Sequence, residues 1–245
     1  MISRRGATAH DAGVWSFRSP TLVDYDMHAI YDLAPGCGAD RVLLVMLPGA
    51  MNRAQDLLGH GFGAALRERD LPVDTVAADA HIDDYIERKV IQRLAADIIA
   101  PARSMGYNRI WLMGISIGGM GSMAYVREHA ADIEGVVLLA PFLGTRGLIG
   151  EVMRAGGLRQ WRPGEIPPGD DERMLVAWLR TYRADDPALP VVYLGYGTGD
   201  RFALASTMLA AQLPASRVLA VDGGHDWQTW KLLWQQLLDR GLFSN

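Results

Sequence analysis

The sequence predicts an α/β protein built on a doubly wound, mostly parallel sheet with helices on both faces. Three observations lead there. Short runs such as Arg41–Leu47 (RVLLVML) and Ile133–Ala140 (IEGVVLLA) are almost continuously apolar, as strands are when both faces are covered. Between such runs stand longer segments with apolar residues at helical spacing. The two kinds of segment alternate, which layers helices on either side of a parallel sheet. In sheets of this type ligands bind beyond the carboxyl ends of the strands, so functional residues are sought in the loops there.

In order, Val14–Arg18 and Met27–Leu33 read as two short strands, expected to form an antiparallel hairpin at the sheet edge. Arg41–Leu47 is a central strand closed by Pro48-Gly49-Ala50. Ala54–Arg67 has helical spacing at Leu57, Leu58, Phe62 and Leu66, and Leu71–Ala78 is the next strand. Ile86–Met105 reads as one long amphipathic helix with Ile91, Leu94, Ile98 and Ile99 on one side. Arg109–Met113 is a strand that passes into a helix, and Ile133–Ala140 follows as another buried strand. The rhythm then breaks over 141–188, rich in Gly, Pro and Arg, with one clear helix at Asp171–Arg183 whose stripe includes Met174 and Trp178. Alternation resumes with strand Val191–Tyr196, a helix from Phe202 to Leu213, strand Arg217–Val221 and helix Trp227–Arg240, whose Trp and Leu stripe is core packing.

At 245 residues, 49% hydrophobic and with a mean hydropathy of +0.04, the chain suits a single globular domain over 1–245. A net charge of −4 gives no reason to expect nucleic acid or an anionic membrane as a partner. The lone cysteine, Cys37, excludes an internal disulfide and a cysteine zinc cluster, and reads as a free loop thiol. Met1–Asp11 lacks the apolar core of a secretory signal, and no apolar run approaches the ~20 residues of a membrane helix. The expected location is cytoplasmic.

Function concentrates at Gly114-Ile115-Ser116-Ile117-Gly118. A strand that becomes a helix within five residues must bend sharply, and glycines two before and two after the serine remove side chains that would clash there. The serine is then held in a strained conformation with its Oγ above the sheet edge. This is G-x-S-x-G in its required strand–turn–helix setting. By it the sequence resembles the α/β-hydrolase superfamily over about residues 41–242, and within it the small serine hydrolases of carboxylesterase type. The resemblance implies Ser116 as nucleophile, followed in the chain by an acid and then a histidine base. His225, in Asp222-Gly223-Gly224-His225-Asp226 between the last strand and last helix, occupies the place of the base. Asp200, in the loop Gly197-Thr198-Gly199-Asp200 after the penultimate strand, occupies a place where many relatives carry the acid, with Asp222 as competitor. Backbone N–H groups of Ile117 and of Ala50, with Met51 second, are the expected oxyanion donors, Pro48-Gly49-Ala50 standing where relatives commonly read His-Gly-x. The 141–188 insertion falls where relatives carry a lid.

Other residues read more plainly. His81, at the end of a strand, is a loop histidine or a rim contact, and Asp83-Asp84 reads as a helix N-terminus rather than a metal site. A serine nucleophile argues against the dehalogenase and epoxide hydrolase branches, and the chain has no phosphate loop or dinucleotide fingerprint. The expectation is therefore a cofactor-free and metal-free hydrolase of small or medium acyl esters, with a small-molecule acyl substrate as its partner. Thioesterase, lactonase and carbon–carbon hydrolase chemistry use the same groups, and a binding protein of this fold is the non-catalytic alternative.

Overall fold

The structure, a computed structural model, describes residues 27–36 and 41–243; the expected strand Val14–Arg18, the segment Met1–Asp11 and Cys37 lie outside the described residues. Within the described residues, seven strands form one sheet: β1 (Ala29–Asp32), β2 (Val42–Leu47), β3 (Val73–Ala78), β4 (Arg109–Ile115), β5 (Gly135–Leu139), β6 (Val191–Gly197) and β7 (Val218–Val221). Their spatial order is β1-β3-β2-β4-β5-β6-β7. Every neighbouring pair is parallel except β1, which runs antiparallel to β3 with Ala29 opposite Ala78. The edge strand expected within Met27–Leu33 is therefore present, with β3 as its partner.

Strand residues alternate between two hydrophobic layers. Leu44, Met46, Met113 and Leu139 point to one face, which is covered by α1 (Ala54–Gly59), α2 (Phe62–Arg67) and α10 (Trp227–Asp239) through Leu57, Phe62, Leu233 and Trp234. Leu43, Val45, Leu112 and Leu138 point to the other. That second face is covered by the helical stretch from α4 (Val90–Arg93) to α5 (Ala100–Ser104), by α6 (Ile117–His129), α7 (Arg146–Arg154), α8 (Asp171–Leu179) and α9 (Ala203–Ala210). Full burial of both faces in β2 and β5 is what left these strands without polar alternation.

Two expected helices are broken, each at a residue with positive φ. The segment 54–67 divides at Gly61 (φ 82°), giving α1 and α2. The segment 86–105 divides at Arg88 (φ 60°): a short α3 (Ile82–Ile86) precedes it, and the long helix starts at Val90. That helix also loosens into a π-helical stretch at Leu94–Ile99 before α5. In the insertion the expected helix is α8, and α7 is an additional one. Both turn their apolar residues inward: Leu148, Ile149, Val152, Leu175 and Leu179 are all buried in the core.

Candidate active site

β4 runs into the turn at Ser116 and α6 leaves it. Ser116 has φ 55° and ψ −117°, a sparsely populated region for a residue with a side chain. Its surroundings hold it there. The Ser116 N–H donates to the Leu139 carbonyl at 3.1 Å, and its own carbonyl accepts from Gly119 N at 3.0 Å and Phe142 N at 2.9 Å. A Cβ on Gly114 would lie 2.3 Å from the Gly118 carbonyl oxygen, and one on Gly118 would lie 2.3 Å from that of Leu47. The backbone crosses itself too closely here for any side chain.

The loops after β6 and β7 are stitched together. Thr198 N donates to the Val221 carbonyl at 2.8 Å and Gly199 N to that of Gly223 at 2.9 Å. A Cβ on Gly197 would meet the Gly223 oxygen at 2.4 Å, so only glycine lets the two loops approach this far. This seam brings Asp200 beside His225. Asp200 Oδ2 lies 2.7 Å from His225 Nδ1, and its Oδ1 accepts from Phe202 N at 2.7 Å. A carboxylate only accepts, so Nδ1 is the donor and Nε2 is left as an acceptor. Nε2 lies 3.0 Å from Ser116 Oγ. The imidazole stands between the rings of Phe202 and Trp230, at 4.9 and 5.0 Å and nearly perpendicular to both. Side-chain exposure of 9% for His225 and 1% for Asp200 keeps their contact out of bulk water.

The structure thus brings Ser116, His225 and Asp200 into one hydrogen-bonded chain. Asp222 is not part of it; its Oδ1 accepts from Thr198 Oγ1 at 3.2 Å. The loop after β2 also reaches Ser116, since a Cβ on Gly49 would lie 3.6 Å from Ser116 Cβ. Asn52 N donates to the Gly49 carbonyl at 2.9 Å, and the buried Asp79 carboxylate accepts from Ala54 N, which pins the far end of this loop. Ile117 is the first residue of α6, so its N–H has no acceptor within the helix. Among the described residues neither the Ile117 nor the Ala50 N–H donates to a protein acceptor. Met51 is 93% exposed.

His81 precedes α3, and its N–H donates to Asp84 at 2.9 Å, a helix-start contact. Asp84 also pairs with Arg93. No group of three or more potential metal ligands occurs among the described residues, and no helix there is long and apolar enough to cross a membrane. Sequence reasoning passed over Phe202, Trp230 and Asp79. The first two flank motif residues closely in sequence, and Asp79 ends a strand; that position is the only signal that could have singled them out.

The sheet order, the turn at Ser116 and the strand-end loops that carry Asp200 and His225 define the α/β-hydrolase fold. No protein-family model matches the sequence, and no match was found among curated proteins. Solved structures do match along nearly the whole chain. Est1E from Butyrivibrio proteoclasticus is 18% identical, with a TM-score of 0.62 over 94% of this chain and 99% of its own. S-formylglutathione hydrolase (FrmB) from Staphylococcus aureus is 13% identical, with a TM-score of 0.63 over 96% of this chain and 98% of its own. FphF, a fluorophosphonate-binding serine hydrolase of Staphylococcus aureus, is 13% identical, with a TM-score of 0.60 over 92% and 96%. At these identities the likeness is one of fold.

Proposed function

We propose that the protein is a serine hydrolase that cleaves carboxylic esters of small or medium acyl groups through an acyl-enzyme on Ser116. The observation that carries this reading is the bonded chain from Ser116 Oγ through His225 to Asp200, at 3.0 and 2.7 Å. Structural neighbours whose names describe esterases and serine hydrolases support it.

In this reading His225 Nε2 takes the hydroxyl proton as Ser116 Oγ attacks the acyl carbon. Asp200 holds the ring in the tautomer with Nδ1 protonated and stabilises the imidazolium that forms. The carbonyl oxygen becomes an oxyanion, and the N–H groups of Ile117 and Ala50 donate to it. Losing one such donor typically costs roughly 3–4 kcal/mol of transition-state stabilisation. When the tetrahedral adduct collapses, the C–O bond to the alcohol breaks and His225 returns the proton to the leaving oxygen. Water then repeats the sequence on the acyl-enzyme, releasing the acid and restoring Ser116.

A fluorophosphonate probe is the direct test. The expected result is one label per chain on the peptide containing Ser116, with no label and no esterase activity in Ser116→Ala. Labelling elsewhere, or undiminished activity in the variant, overturns the assignment.

A further inference from the structure

A cavity of about 190 Å³ lies beside the proposed site, lined in part by Arg146, Ile149, Arg201, Phe202 and Leu204. Phe202 is the shared wall: the same ring meets His225 at 4.9 Å. Two features of the cavity bear on what enters it. Part of its lining is apolar, from Ile149, Phe202 and Leu204. Two arginines, Arg146 and Arg201, also line it, although the chain as a whole is acidic at −4.

Neither Arg146 nor Arg201 makes an ion pair among the described residues. Arg201 directly follows Asp200, and its guanidinium carbon rests 5.0 Å from the centroid of the Phe202 ring. The cation is therefore no farther from the His225 ring than the sum of the two ring contacts. Two carboxylates stand nearby: Glu172, whose Oε2 accepts from Thr145 N at 2.7 Å, and Asp200, whose oxygens are taken by Phe202 N and His225 Nδ1 at 2.7 Å each. Both carboxylates are already engaged by donors of the protein, whereas neither guanidinium has a carboxylate partner, so the two cations are left to meet an anionic ligand.

We propose that the preferred substrates are esters bearing a carboxylate on one arm, seated with the arm's carbons against the apolar lining and the carboxylate between Arg146 and Arg201. Guanidinium is suited to this, since its planar fork matches a carboxylate and it is less strongly hydrated than an ammonium. The inference rests on Ser116 being the nucleophile, but its binding part can be read without turnover.

The experiment compares matched esters by pH-stat at low ionic strength. Monomethyl glutarate against methyl pentanoate places the charge on the acyl arm; 4-acetoxybutyrate against butyl acetate places it on the alcohol arm. One anionic ester is expected to exceed its neutral partner by roughly tenfold or more in kcat/KM, mostly through KM. The double variant Arg146→Gln/Arg201→Gln should bring that ratio near unity, lysine at both positions should keep part of it, and ~0.5 M NaCl should reduce it. Calorimetry on Ser116→Ala with the preferred anionic ester should show binding that the added double substitution removes. No anionic preference on either arm, or a ratio that survives the double substitution, overturns the proposal while leaving the hydrolase reading intact. Binding to the arginines without any hydrolysis by the wild type would keep the anion site and overturn the hydrolase reading.

Discussion

At the scale of single residues the site depends on atoms that are absent. A methyl group at Gly118 would press on the Leu47 oxygen at 2.3 Å and the Pro48 oxygen at 2.7 Å, both backbone. Gly118→Ala is therefore expected to lose roughly 1–3 kcal/mol, read from urea unfolding, and most of its activity, because relief requires the elbow to shift. In the proposed mechanism Asp200 acts through orientation. Asp200→Asn keeps the shape but presents His225 Nδ1 with a group that can donate, favouring the wrong tautomer; kcat should fall roughly ten-thousand-fold with little change in melting temperature. The positions of Gly118, Ser116, Asp200 and His225 were legible because spacing and chain order specify them. The wall residues Phe202 and Trp230 were not. An aromatic residue beside a motif has the same sequence signature whether it packs the core or steadies an imidazole, and only the 4.9 and 5.0 Å ring contacts separate the two.

Elements were legible where burial dominates and obscure where local backbone conformation does. β2, β4 and β5 announce themselves by continuous apolar runs. The breaks at Gly61 and Arg88 do not, since the helical apolar spacing continues across both and only the positive φ values interrupt it. Helix α7 was hidden by its own Gly147 and Gly150, weak helix formers in a Gly- and Pro-rich neighbourhood. Its place is fixed instead by Glu151, which accepts from Arg173 Nη1 and Nη2 of α8 at 2.9 and 2.8 Å and from Trp161 Nε1 at 2.8 Å. The Arg173 hydrogen bonds, with that from Trp161, hold the Glu151 carboxyl down at about 2 against an ordinary 4.5. A depressed acid contributes stability that is present above its unfolded value and lost as pH falls through the folded one. The wild type should accordingly lose melting temperature between about pH 4.5 and pH 2, and Glu151→Gln should show a shallower decline over that window. The side chain is 41% exposed, so the difference should be small and should shrink with added salt.

For the whole molecule, the doubly wound sheet directs every parallel strand's carboxyl end to one edge, which is how residues 116, 200 and 225 meet. The insertion's helices spend their apolar stripes on the core, so little apolar surface remains to enclose a long acyl chain. Each CH₂ contributes its ~0.8 kcal/mol only when buried. Across p-nitrophenyl esters from acetate to palmitate, kcat/KM is expected to peak at short or medium chains with no jump when substrate forms an interface; a maximum at palmitate would contradict the proposed preference for small or medium acyl groups. The backbone at Ser116 has a consequence beyond catalysis. A conformation of φ 55°, ψ −117° costs a residue with a side chain on the order of 1–3 kcal/mol, and glycine is largely free of that cost. Ser116→Gly should thus melt at a higher temperature than Ser116→Ala, despite the greater flexibility of its unfolded chain. Stability alone therefore favours glycine at position 116, and the serine hydroxyl stands there at the cost of a strained backbone.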